Sequence, residues 1–146
     1  MFVQTIALLL ERDLLQLKKE INSYSDEKLL WKIKEGITNS AGNLCLHLIG
    51  NLNHFIGHAI GKTGYTRDRD REFSAKDIPL KKLSESIDET ILVINDSLSK
   101  LTDDDLRNNF PLEMHGKTVT NYYMLLHLVT HFNYHLGQIN YHRRME

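Results

Sequence analysis

Residues 127–142 read HLVTHFNYHLGQINYH and hold four of the chain's eight histidines. If this stretch is helical, successive residues turn by about 100° and His127, His131 and His135 climb one face. The apolar face of such a helix centres near Leu125, Phe132 and Ile139. Relative to His131, His135 turns about 40° toward that face and His127 about 40° away from it. A histidine pair four residues apart is a natural metal clip, because one helical turn brings both rings to one point. The competing reading is a pair of ordinary hydrogen-bonded histidines at the edge of a core.

A third donor would have to come from another element. The segment GNLCLHLIGNLNHFIGH offers His47 at the edge of its apolar face, and Asn51, His54 and His58 continue that stripe. Three protein ligands leave a coordination position for water or substrate, which is the pattern of catalytic rather than structural zinc. Taken alone, His47 is more readily an interior histidine than a ligand. His54, His58, His115 and His142 are expected at the surface. His127 is expected to be solvated, with orientation of a ligand or of the Tyr134 hydroxyl as the alternative. Gln138, one turn beyond the pair, either hydrogen-bonds into the site or is a plain polar flank.

Other chemistries lack their residues. His131-Phe132-Asn133-Tyr134-His135 has no glutamate after its first histidine, unlike the zinc-protease helix. No Glu-x-x-His occurs, which disfavours a di-iron carboxylate bundle. TRDRDREF has the acidic rhythm of a calcium loop but lacks its glycine, and a solvated loop is expected there, with ion pairs across a dimer as a lesser option. Glycine-rich phosphate loops and Cys-x-x-Cys pairs are missing. The one cysteine, Cys45, falls on the apolar side of its helix, where a buried thiol is expected rather than a nucleophile.

These residues need elements to position them. Apolar spacing of three and four predicts four helices, over about 2–22, 40–61, 79–101 and 120–143. Asn39 or Ser40 and Thr120 suit N-caps, Asp77 suits the cap before Pro79, and Gly61 suits a stop. The linkers are long and polar. One should hold a short helical turn around Ser25–Leu30, and another a Thr102…Asp105 capping pattern followed by an extended piece around His115-Gly116. With no convincing strand, the expectation is an all-α four-helix bundle with long linkers, forming a single domain over 1–146.

Composition narrows the class. Of 146 residues, 25% are charged and 41% hydrophobic, which suits a globular chain with one core. The net charge of -1 gives no basic surface for nucleic acid. No apolar run reaches the roughly 20 residues of a membrane span. The apolar start meets charge at Glu11 and lacks a basic leader, and one cysteine cannot form an internal disulfide. A cytoplasmic protein is expected.

In order and spacing, GNLCLHLIGNLNHFI, TRDRDREF and HLVTHFNYHLGQINY resemble the DinB/YfiT-like superfamily of metal-binding helical bundles. The most specific part is His-x-x-x-His-x-Gly-Gln, here His131, His135, Gly137 and Gln138. The resemblance spans nearly the whole chain. It implies a four-helix bundle, often a homodimer, with a divalent metal (zinc, nickel, iron or manganese) held by His47, His131 and His135. It assigns no metal role to His54, His58 or His127. Relatives include transferases that use bacillithiol and a mycothiol-dependent maleylpyruvate isomerase, which implies a low-molecular-weight thiol cosubstrate and a small-molecule substrate.

The expected function is therefore a metal-dependent thiol S-transferase. The alternatives are a metal-dependent hydrolase, a non-catalytic metal-binding stress or interaction protein, or a purely structural dimerisation module. A dimer is expected to use a stripe of Val3, Leu10 and Leu17 on the first helix, distinct from Ile6, Leu9 and Leu14.

Overall fold

A computed structural model describes all 146 residues, and it is all-α. Five α-helices follow in order: α1 (Phe2–Asn22), α2 (Ala41–Leu52), α3 (Arg69–Ser74), α4 (Leu80–Leu98) and α5 (Asn121–Arg144). Short 3₁₀ turns occupy Glu27–Trp31 and Asp103–Arg107. The only β-pairing is two isolated bridges, Asn109 with Thr120 and Met114 with Lys117, in the linker before α5. No helix is long and apolar enough to cross a membrane.

The helix starts follow from capping chemistry. The Ser40 side chain accepts from Asn43 N–H, and Thr120 accepts from Tyr123 N–H, each satisfying one of the free amides of a first turn. The α1 N-terminus is capped from far along the chain, with Asp103 accepting from the backbone N–H groups of Phe2 and Val3. The expected Asp77 cap is not formed. Asp77 sits at φ 56 in the turn, and Pro79 takes the N-cap position of α4. Its ring fixes φ near the helical value and it gives up no amide that the helix would use.

Ile6, Leu10, Leu14, Leu17 and Ile21 are fully or almost fully buried along α1. Each such side chain contributes roughly 1.5–3 kcal/mol relative to exposure. They pack against α4 and α5, while α2 packs on α3, α5 and α4. Val3, Leu10 and Leu17 belong to this interior, so the dimer stripe expected on them does not exist. The α1 leucines that do face outward are Leu8 and Leu15. Two polar links cross the α1–α5 contact. Asp13 accepts from the Asn133 amide, and Glu20 accepts from Asn140 and from Arg143 at 2.6 Å. Burial raises the Glu20 pKa, but its hydrogen bonds to Arg143 and Asn140 outweigh it, so the carboxyl lies below its usual range.

The second helix departs from the continuous run expected over 40–61. Its last turn, Asn53–His58, is a π-helix, with Ala59 N–H donating to the His54 carbonyl. Asn53 explains part of the widening, since its side-chain amide bonds both the Ile49 carbonyl and the Thr90 hydroxyl of α4. Close packing against α4 continues at Gly57, where an added β-carbon would meet Val93 at 2.9 Å.

Candidate metal centre

α2 carries His47 toward α5, and α5 presents His131 and His135 one turn apart. The ring centroids form a nearly regular triangle of 4.7, 5.1 and 5.2 Å. One ligand nitrogen from each ring lies within 4.8 Å of the other two, with His47 Nε2 and His131 Nε2 only 3.2 Å apart. Nitrogens sharing one ion at about 2.0–2.2 Å can be at most about 4.4 Å apart. The three histidines singled out by the spacing are thus brought together, and they could hold a metal ion.

Hydrogen bonds behind the rings set which nitrogen faces inward. His47 Nδ1 lies 3.0 Å from Glu72 Oε1. An ionised carboxylate only accepts, so Nδ1–H donates and Nε2 keeps its lone pair toward the site. Arg67 grips the same carboxylate, donating from Nε to Oε2 and from Nη2 to Oε1, both at 2.9 Å. Its 3.3 Å approach to His47 Nδ1 then sets two donors side by side and is no bond. His135 Nδ1–H donates to Gln138 Oε1 at 2.7 Å, which leaves its Nε2 free. Outer partners of this kind fix tautomer and orientation in metal-binding histidines. His131 is the exception, because its buried Nδ1 has no partner.

The electrostatics keep His131 and His135 in the ligand form. Burial lowers the His131 pKa to about 4, helped by the nearby His135 and His47. His135 is also lowered, mainly by burial, against an opposing contribution from Gln138. For Glu72, burial pushes upward, but hydrogen bonds from His47 and Arg67 more than offset it, so it stays ionised.

Glu72 and Arg67 are the residues that sequence reasoning missed. TRDRDREF was expected to be a solvated loop. Its second half instead forms α3, capped by Asp68, whose side chain accepts from Arg71 N–H. That turn points Glu72 inward until it is 6% exposed, and lays the Phe73 ring against His47 at 4.8 Å. The usable signal was the pairing of a capping aspartate with Phe73, since an aromatic residue in a charged run marks a packed turn.

The other histidines divide. His58 and His115 are exposed as expected. His54 is half-buried, with Nδ1 unpartnered, because the π-turn rotates it inward. His142 is buried, not at the surface. Its Nδ1 accepts from the Tyr24 hydroxyl at 2.6 Å, and its Nε2–H donates to the Lys32 carbonyl at 2.8 Å. His127 is half-buried and stacks on His131 at 6.0 Å. Cys45 is buried, which pushes its thiol pKa up to about 12 and keeps it inert.

The three rings stand between two cavities. One, of about 490 Å³, is lined by His47 and His131 together with Arg67, Arg69, His115 and His127. The other, of about 480 Å³, lies beyond His135 and Gln138 and includes Ile37, Leu44, Tyr134 and Tyr141. Ligands could therefore approach the nitrogen cluster from either side.

No curated protein matches this chain. A family model does, over residues 2–145, and the chain belongs to that family, described as Protein of unknown function (DUF1572).

Proposed function

We propose that the protein is a divalent-metal-dependent enzyme of the DinB/YfiT-like four-helix-bundle type, acting as a low-molecular-weight-thiol S-transferase. The observation that carries this reading is the convergence of three imidazole nitrogens within 4.8 Å, with cavities on both sides. In this reading α1, α2, α4 and α5 are the bundle of a single domain, and α3 is an insertion that braces the site.

The donor set fits a borderline metal such as zinc, nickel, iron or manganese. Neutral imidazoles and an inward Nε2 on His47 and His135 are what such an ion needs. A divalent ion held there would act as a Lewis acid, lowering the pKa of a thiol or water brought to it. The chain's own residues supply the rest. Glu72 holds the His47 tautomer, Gln138 holds that of His135, and Arg67 neutralises Glu72. Glu72 cannot serve as a general base on a substrate, because both its oxygens are engaged behind His47. That absence of a free buried carboxylate favours a thiol nucleophile over water attack.

The open cavities also favour catalysis over a sealed metal store. A cytoplasmic setting is supported by the single buried Cys45. A homodimer is proposed on the family resemblance, with exposed Leu8 and Leu15 available to it.

The test is elemental analysis of purified protein against His135→Ala, with circular dichroism of both. The expected result is about one divalent metal per chain, lost in the variant while helicity persists. Equal metal content in the two proteins would count against the site.

A further inference from the structure

The two cavities differ in charge. Beyond His135 the lining sets Ile37, Leu44, Tyr134 and Tyr141 beside the carboxylate of Glu35, and its one lysine, Lys34, is already paired with Glu146 at 3.1 Å. Beside His131 two guanidinium groups enter the lining. Arg67 is committed to Glu72 through Nε and Nη2, which leaves Nη1 without a partner. Arg69 forms no ion pair and no side-chain hydrogen bond. Its guanidinium rests over the Phe73 ring, 5.1 Å from the centroid, and Phe73 in turn lies against His47. A free cation therefore stands one aromatic ring away from the histidine cluster.

The acidic residues around Arg69 do not claim it. The Asp68 carboxylate caps α3, and Asp70 is exposed and unpaired. Glu113, the one carboxylate in the cavity lining, is exposed and pairs with neither arginine. His115 and His127 also line the cavity, beside the apolar Phe55, Met114 and Met124, and an imidazole can donate an N–H. Guanidinium groups and N–H donors around a small cavity suit a carboxylate, which accepts two hydrogen bonds from an arginine in a planar pair.

We propose that the cavity bounded by Arg67, Arg69, His115 and His127 is an anion subsite, holding a carboxylate of the molecule whose donor atom reaches His47, His131 and His135. This rests on the metal reading above and narrows it. The thiol or substrate bound at the metal is anionic, and the aromatic cavity beyond His135 takes its apolar reaction partner.

The test uses cobalt-loaded full-length protein and the visible absorption of the bound ion. It is titrated with 4-mercaptobenzoate and, separately, with 4-methylbenzenethiol. The two thiols share a ring and differ in the para group, and the para carboxylate cannot reach the ion that its own sulfur binds. The expected result is about tenfold tighter binding of 4-mercaptobenzoate, the scale of one charge-assisted hydrogen bond. In Arg69→Ala the two thiols should become level. Equal affinity for both thiols in the wild type, or a preference that survives in Arg69→Ala, overturns the subsite. A protein that takes up no cobalt overturns the metal reading and the subsite with it.

Discussion

The Glu72 carboxylate occupies the space in which a side chain at Gly50 would begin. A β-carbon built on Gly50 of α2 collides with Glu72 Oε2, and that oxygen is held by Arg67 Nε. The glycine is thus tied to the site by close approach, although it lies in a helix interior where it costs about 1 kcal/mol relative to alanine. Gly50→Ala gains helix propensity but overpacks this contact, so it should lower overall stability by about 1–3 kcal/mol while pushing Glu72 off His47. Metal affinity, measured by competition with a coloured chelator, is expected to fall about tenfold, the lower end for loss of an outer partner. Unchanged affinity would show that Glu72 does not tune His47.

Glu72 itself separates two effects. Glu72→Gln keeps shape and can still accept from His47 Nδ1–H, but it loses the charge that Arg67 needs. Glu72→Ala also strips His47 of its acceptor. Metal affinity should drop between about 10- and 100-fold in the alanine variant and less in the glutamine variant. Both should lose thermal stability, because the Arg67 side chain is only 12% exposed and would lie there unpaired. Equal metal binding in all three proteins would remove Glu72 from the site.

What was legible follows from periodicity and spacing. The helix bearing His131 and His135 could be placed because one turn fixes their relation, and Ser40 and Thr120 are caps by local chemistry. Glu72 was hidden because its partners, His47 and Arg67, are 25 and 5 residues away, and a charge run by itself suggests solvent. His142 was hidden for a similar reason. Its partners Tyr24 and Lys32 lie more than 100 residues earlier, so nothing local signals burial. The Val3, Leu10 and Leu17 stripe was misjudged because α1 is flanked by both α4 and α5, and a helix between two neighbours buries a wider arc than one stripe.

The depressed pKa of His131 gives the metal-free protein a defined acid weakness. In the unfolded chain this imidazole takes a proton near pH 6.5, whereas in the fold it does so only near about 4. Between those values the unfolded state binds more protons, so stability rises with pH and is lost as pH falls through that window. Urea midpoints of metal-free protein should therefore drop between pH 7 and pH 4.5, and His131→Asn should show a smaller drop. The variant comparison isolates His131 from other acid-sensitive groups. An identical pH dependence in the two proteins would contradict the burial of this ring.

The reaction can be separated from metal binding by the choice of nucleophile. Water attack on an amide or ester benefits from a carboxylate base facing the substrate, and the buried carboxylate here is turned away behind His47 with both oxygens occupied. A thiol makes less demand on such a base, since its proton is released more readily and the anion is intrinsically the better nucleophile. Metal-loaded protein incubated with 1-chloro-2,4-dinitrobenzene and a panel of low-molecular-weight thiols should therefore form thioether faster than the protein-free blank. The new carbon–sulfur bond displaces chloride, and the thiol proton passes to solvent. The acceleration should be lost in His135→Ala with the circular dichroism unchanged, and it should be largest for thiols that carry a carboxylate. Metal-dependent hydrolysis of nitrophenyl esters with no thiol reaction would reverse the assignment and make the protein a hydrolase. If neither reaction exceeds its blank while the metal stays bound, the transferase reading gives way to that of a metal-binding protein without catalysis.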